Sequence, residues 1–371
     1  MNIPHLSALS RRRFLGHLSA AGALALAPRS LFAQAAGGRK LNLALVGLGG
    51  YSTGQLGPAL KLTQHCRLAG VVTGSAEKGK KWAAEYGFPE ANIYHYDTMA
   101  KLADNPGIDA VYVVTPNGLH AGHAIAAARA GKHVICEKPM ANTVAECDAM
   151  LAACKQAGVK LGIGYRLHYD PFHEELRRLA RTREFGPFTK MDGGFAFTMG
   201  RKQWRAEKKL AGGGPLMDLG VYVIQESFMG AGEAPAVAVT ARELPKERPD
   251  FFVDVEESIE WTMEFADGAK AKGYCSYNSN RNDFRAEAAN GWFEVNNAYS
   301  YRGQKAATSK GPVSPTPPSS QQALQIDAFA RHVLEGAPHL VPGEMGRRDM
   351  VVVEGIYASA AAGGKRVELK F

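Results

Sequence analysis

Between residues 41 and 164 the chain alternates short apolar runs with longer segments of helical period. Leu41–Val46, Arg67–Thr73, Ala110–Val114, His133–Cys136 and Lys160–Gly164 have strand length, and several are apolar almost throughout rather than at alternate positions. A strand buried on both faces reads that way, as in a parallel sheet covered by helices. Helical patterns fill the gaps: from a glycine turn at 47–50 through about Leu62, then Lys78–Tyr86, His120–Ala130 and Thr143–Gln156. Strands separated by helices of this length predict a doubly wound parallel sheet.

Past residue 165 the pattern changes. Val237–Arg242, Ser258–Phe265, Ala269–Tyr277 and Trp292–Val295 read as strands, and Asp267-Gly268 is a hairpin turn between two of them. Ser309–Ser320 is rich in Pro and Ser and reads as a loop. Helical patterns return at Ala323–Leu334 and Met345–Ala361, and there is no internal repeat. The predicted fold is α/β: an N-terminal Rossmann-type doubly wound parallel sheet over residues 36–163, then an α+β domain over 164–371 with an open, mainly antiparallel sheet.

Residues 1–35 stand apart. Ser10-Arg11-Arg12-Arg13-Phe14-Leu15, an apolar stretch from His17 to Pro28 and the small-residue site Ala33-Gln34-Ala35 follow in the order of a twin-arginine signal peptide. That route carries folded proteins, which suits a protein that takes up its cofactor before leaving the cytoplasm. The expected location is periplasmic, with no stable membrane association, because no segment has the roughly 20 apolar residues of a spanning helix. The leader holds Arg11, Arg12, Arg13 and Arg29 and no carboxylate, so its removal takes the formal charge from +8 to +4. No long basic run remains, and nucleic acid is not an expected partner.

The five cysteines are scattered, and Cys147 and Cys154 share a predicted helix two turns apart, too far for a disulfide. They read as small buried apolar residues. No Cys/His cluster suggests a metal.

The chemistry lies in three places. Gly47-Leu48-Gly49-Gly50-Tyr51-Ser52 follows a predicted strand and opens a helix, the context in which a glycine turn holds a pyrophosphate. Glycines that merely permit a tight turn are the plainer alternative. At the end of the second strand, where an NAD enzyme usually carries an acid, the chain has Thr73-Gly74-Ser75 with Lys78 and Lys81 following. Hydroxyls and cations suit the 2′-phosphate of NADP; a solvated first helical turn is the other reading of the lysines. Glu137-Lys138-Pro139 ends a parallel strand, where ligands bind in open α/β sheets. A lysine there hydrogen-bonds a substrate hydroxyl and lowers a neighbour's pKa by its charge. In Gly212-Gly213-Gly214-Pro215-Leu216-Met217-Asp218-Leu219-Gly220-Val221-Tyr222, Asp218 and Tyr222 are four apart and share one helical face. A carboxylate beside a phenol fits alcohol–carbonyl interconversion; a helix with an interior Tyr is the structural alternative.

Together with Thr115-Pro116-Asn117, Leu119-His120, Tyr165-Arg166 and Gln203-Trp204-Arg205, these residues resemble the glucose–fructose oxidoreductase family (the Gfo/Idh/MocA group) over essentially the whole mature length. Tyr222 where many members have His, with Lys78 and the leader, resembles the exported glucose–fructose and aldose–aldose members. The resemblance implies a tightly bound NADP. Gly47, Gly49, Gly50 and Tyr51 would hold its phosphates, and Thr73, Gly74, Ser75, Lys78 and Tyr96 would surround the 2′-phosphate. Thr115, Asn117, His120, Glu137 and Lys138 would follow along the cleft, with Trp204 and Arg205 at the nicotinamide end and Arg166 and His168 lining it. It further implies that Lys138 and Asp218 hold a sugar and Tyr222 is the acid/base. The partners it implies are sugars, the export machinery and a second copy of the chain, since the family's open sheet packs face to face in a dimer or tetramer. Two departures stand out: Ser52 replaces a small apolar residue, and Met191–Gln203 is shorter than in the glucose–fructose enzyme. An exported NAD-dependent glycoside hydrolase of the same superfamily and a non-catalytic sugar-binding protein are the rival readings.

Overall fold

The computed structural model describes residues 38–316 and 318–371. The signal-peptide reading of residues 1–35 lies outside them. Lys40–Phe371 forms one compact unit containing two sheets.

The first sheet is parallel, in the order β3-β2-β1-β4-β5-β6. Its strands are β1 (Leu41–Val46), β2 (Cys66–Val72), β3 (Ile93–Tyr94), β4 (Ala110–Val113), β5 (His133–Cys136) and β6 (Leu161–Ile163). Five of the six positions of β1 are buried, as a strand covered on both faces requires. Residues Ser52–Leu56 form a single π-helical turn that continues into α1 (Gly57–Leu60). Helix α2 (Ala76–Tyr86) is capped by Ser75, and α3 (His120–Arg129) follows β4. Thr143 caps α4 (Val144–Ala157), which ends on a left-handed Gly158. All five cysteines are buried free thiols.

The second sheet has nine strands, in the order β14-β13-β12-β11-β7-β10-β9-β8-β15. They are β7 (Lys190–Ala196), β8 (Ala236–Glu243), β9 (Ser258–Phe265), β10 (Lys270–Ser276), β11 (Arg281–Ala288), β12 (Gly291–Asn296), β13 (Lys305–Thr308), β14 (Gly311–Val313) and β15 (Val367–Glu368). Helix α5 (Pro171–Thr182) precedes β7. Neighbours are antiparallel except β7 and β10, which run parallel; the chain between them passes through α6 (Val221–Gly230), β8 and β9, a long crossover in place of a hairpin. Asp267-Gly268 makes the β9–β10 turn, with Gly268 at φ 89°.

Strands β7 and β11, at the centre, were not expected from the sequence pattern. A Cβ at Gly193 would lie 2.6 Å from the Phe284 ring, and one at Gly194 would strike the Arg281 side chain. Side chains from β11 thus demand glycine in a strand that otherwise avoids it. The segment Ser309–Ser320, read as a loop, contains β14.

The chain then returns to the first sheet. Helix α7 (Gln321–Glu335) places Ile326, Phe329 and Ala330 in the same apolar cluster as Leu41, Leu43 and Leu45. Helix α8 (Gly343–Ala361) packs between β8 and α4. No helix among the described residues is long and apolar enough to cross a membrane.

Candidate active site

A cleft of about 1080 Å³ runs along the carboxyl ends of the parallel strands and under the second sheet. One end is made by the glycine turn. Gly47 has φ 106°, and a Cβ there would sit 3.1 Å from the Val114 carbonyl oxygen, so both conformation and space require glycine. Ser52 is fully buried, and its Oγ donates to the Gly47 carbonyl at 2.7 Å. The serine that stands in place of a small apolar residue therefore closes the turn with its hydroxyl. A Cβ at Gly49 or Gly50 meets nothing within 4 Å. Open space over a helix start, whose first amides have no intrahelical partner, is a cradle that fits a pyrophosphate.

Beside it, β2 runs out at Val72, and no acid stands at its end. Thr73 is buried, and its Oγ1 accepts from Ser75 N at 3.2 Å. The Ser75 hydroxyl in turn accepts from Lys78 N at 3.3 Å, so this serine caps α2 as well as lining the cleft. Lys78 is exposed in the first turn and lines the cleft. Lys81 points away into an i,i+4 pair with Glu77 at 2.9 Å, the solvated-helix reading. The Tyr96 ring stands against Gly74 and stacks on His123, with centroids 5.1 Å apart.

The middle of the cleft is held by cross-links between loops. Asn117 donates to the Ala211 carbonyl at 2.9 Å. Buried His120 sets its ring nitrogens 2.8 Å from Thr115 O and 2.9 Å from Pro139 O, joining the loops after β4 and β5; burial pushes it down to about 4. Glu137 accepts from Tyr112 Oη at 2.6 Å and from Lys138 N at 3.2 Å, and its burial raises its pKa.

The far end is an interlocked set of charges. Residues Leu216–Gly220 form a second π-helical turn, which runs into α6. Asp218 accepts from Lys138 Nζ at 3.1 Å on one oxygen, and from Arg205 Nε and Tyr277 Oη at 3.0 Å on the other. Burial opposes its charge, but Lys138 and Arg205 prevail and hold its carboxyl at about 2. Lys138 also donates to the Asp218 carbonyl at 2.7 Å. Burial disfavours its ammonium, yet Tyr222, Asp218 and Glu137 outweigh that and raise its pKa, so it stays charged. The Tyr222 ring lies between two cations, 4.7 Å from Lys138 Nζ and 4.9 Å from Arg166 Cζ. Arg166 is itself sandwiched, 4.4 Å from the Tyr301 ring. Trp204 stacks with the Arg205 guanidinium at 4.5 Å, and both line the cleft. Tyr51 lines it from the glycine-turn side.

Apart from Lys81, which turns to solvent, the sequence-derived residues thus converge on one cleft, with one buried exception. His168 is buried 3.5 Å from an Arg177 nitrogen and does not line the cleft; burial pushes its pKa well down. Three contributors were missed. Tyr301 lines the cleft from the loop after β12, and Tyr277 follows β10 and buttresses Asp218. Glu256 accepts from Gly214 N at 2.8 Å and Leu216 N at 3.0 Å, anchoring the turn that carries Asp218. None of them lies in a local motif.

Comparison with known proteins agrees with this geometry. The model of the oxidoreductase family with an NAD-binding Rossmann fold matches residues 41–165, and that of the GFO/IDH/MocA C-terminal domain matches residues 173–295. The structure of an aldose-aldose oxidoreductase from Caulobacter crescentus, complexed with glycerol, is 42% identical with TM-score 0.86, over 89% of this chain and 100% of that one. D-xylose 1-dehydrogenase (NADP(+)) 2 of Haloferax volcanii is 29% identical, over 86% of this chain and 97% of its own. A levoglucosan dehydrogenase in complex with NADH and levoglucosan (22% identical, TM-score 0.77, over 90% of this chain and 100% of that one) shares the fold. The chain belongs to the Gfo/Idh/MocA oxidoreductase family.

Proposed function

We propose that this chain is an NADP-dependent sugar oxidoreductase that oxidises an aldose at C1 to its lactone and reduces a ketose or second aldose to an alditol. In this reading NADP stays on the protein between the two halves, and the protein works in the periplasm after export in the folded state. The observation that carries the reading is the pairing of two ends in one cleft. A glycine cradle without an acid at the end of β2 faces a Lys138–Asp218–Tyr222 cluster. The likeness to an aldose-aldose oxidoreductase and to an NADP-using xylose dehydrogenase supports the same substrate class and nucleotide.

Bound nucleotide supplies the hydride acceptor and donor; the rest falls to side chains. Gly47, Gly49 and Gly50 would hold the pyrophosphate, and Thr73, Ser75, Lys78 and Tyr96 the 2′-phosphate end. Lys138, kept charged by its anionic neighbours, donates a hydrogen bond to the sugar oxygen at C1. Tyr222 takes the proton from that hydroxyl in the oxidative half and returns it to the second sugar. Asp218, spanning Lys138 and Arg205, keeps the ammonium aimed into the cleft rather than at solvent. Retention of the nucleotide is motivated by the leader, since an external compartment offers no evident NADP pool. The open sheet is the surface on which a second copy would pack, giving a dimer or tetramer.

Deuterium labelling tests the cycle. An aldose deuterated at C1, incubated with a ketose and catalytic amounts of protein without added nucleotide, should yield lactone and singly deuterated alditol in equal amounts. Unlabelled alditol, or cleavage of a glycoside with no net redox change, contradicts the reading.

A further inference from the structure

Helix α7 comes from the C-terminal part of the chain, yet two of its side chains reach under the cleft. Gln321 and Gln325 are four residues apart, hence on one helical face, and are 4% and 1% exposed. Gln321 Oε1 accepts from Arg166 Nη1 at 2.7 Å, and its Nε2 donates to Asp170 Oδ2 at 2.5 Å. Its amide has a single workable orientation, because a guanidinium only donates and a carboxylate only accepts. Asp170 is pinned in turn, capping α5 through Phe172 N and bonding His173 Nδ1 at 2.8 Å.

Gln325 is oriented through one end of its amide: its Oε1 is buried with no hydrogen-bond partner among the described residues, and the phenol at its other end decides the orientation. Its Nε2 lies 2.8 Å from Tyr112 Oη, and that hydroxyl lies 2.6 Å from Glu137 Oε1. The phenol has one proton. If Gln325 turned its carbonyl to Tyr112, the hydroxyl would face two acceptors and leave one unsatisfied in a buried site. With the amide donating, the phenol proton is directed onto Glu137, whose other oxygen accepts from Lys138 N.

We propose that Gln321 and Gln325 are positioning residues, and that one face of α7 fixes the orientation of the two buried charges flanking the cleft, Arg166 and Glu137. The proposal rests on the nucleotide-and-sugar reading of the cleft. Glu137 sits in the middle of the cleft next to Lys138 and away from Lys78 and Tyr96, so a loosened Glu137 affects the nicotinamide half of the nucleotide and spares the adenosine half.

The test is calorimetric titration of the full chain, first stripped of its resident nucleotide, with NADP+ and, separately, with adenosine 2′,5′-bisphosphate, for wild type, Gln325→Leu and the near-isosteric Gln325→Glu. Glutamate keeps the shape but replaces the donating amide by a carboxyl group facing Tyr112 and Glu137, so the lock predicts a loss at this end of the cleft while the bisphosphate reports whether the fold is intact. The expected result is an NADP+ dissociation constant about tenfold higher in both variants, with bisphosphate binding unchanged. NADP+ affinity unchanged in Gln325→Glu, or both ligands weakened alike, overturns the lock while leaving the nucleotide reading standing. A wild-type protein that binds neither ligand overturns both. For Gln321→Leu the expected result is an aldose-oxidation kcat about tenfold lower with NADP+ affinity and KM unchanged. An unchanged kcat overturns the role of Gln321.

Discussion

At the glycine turn the cleft is walled by main chain. Gly47 is pressed against the Val114 carbonyl, Gly49 and Gly50 face open space, and one serine hydroxyl closes the loop. At the Lys138 end the walls are side chains, held largely by other side chains. Asp218 alone accepts from Lys138, Arg205 and Tyr277, and its supporting turn hangs on Glu256. Backbone geometry gives a site that tolerates a common ligand part such as a pyrophosphate and reads little of the rest. A lattice of charges gives a site whose proton inventory is set in advance, at the cost of burying several ionised groups together. The two ends should therefore fail in different ways.

The largest expected effect is chemical and confined to the charged end. Tyr222→Phe keeps the ring between Lys138 and Arg166 but removes the exchangeable proton. Aldose oxidation should fall roughly 10²–10⁴-fold with nucleotide binding and melting temperature little changed; single-turnover reduction of bound nucleotide measures it. Gly47→Ala should do the reverse. The positive φ and the contact with Val114 cost about 2 kcal/mol, read as a drop in denaturant midpoint, and NADP+ affinity falls with the turn.

Acid separates the ends by another route. The Asp218 carboxyl titrates at about 2 in the folded protein, below the ordinary range. Its contribution, about 2 kcal/mol, is fully present above roughly pH 4 and is lost as pH falls through 2. Asp218→Asn should flatten this part of the stability–pH curve measured by denaturant titration, whereas Gly47→Ala should leave its shape unchanged. The smallest effect is one of preference. Lys78→Ala should reduce discrimination of NADP over NAD by about tenfold, the worth of one charge-assisted contact, without changing NAD affinity.

The same contrast governs what could be read beforehand. Main-chain requirements leave marks in the local sequence: the glycines at 47, 49 and 50 and the apolar runs of the parallel sheet were all legible. So was the pair Asp218 and Tyr222, because helical spacing puts both on one face. Tyr277, Tyr301 and Glu256 were not, since each reaches the site by a tertiary approach with no local pattern. The centre of the second sheet was hidden for a related reason. Strand β7 carries Gly193-Gly194 to admit side chains of β11, and β11 sets Arg281, Asp283, Arg285 and Glu287 in ion pairs on its open face. His168 shows the opposite error, a residue assigned to the cleft by motif position whose side chain turns into the core.

The central claim is that one cleft holds a resident nucleotide at its backbone end and a sugar at its charged end. The most direct measurement is absorbance in the reduced-nicotinamide band of the purified protein, with no nucleotide added, before and after an aldose and then a second sugar. The account predicts a rise on the aldose that decays when the ketose or second aldose arrives. Protein that carries no nucleotide, or nucleotide that no aldose reduces, would contradict it.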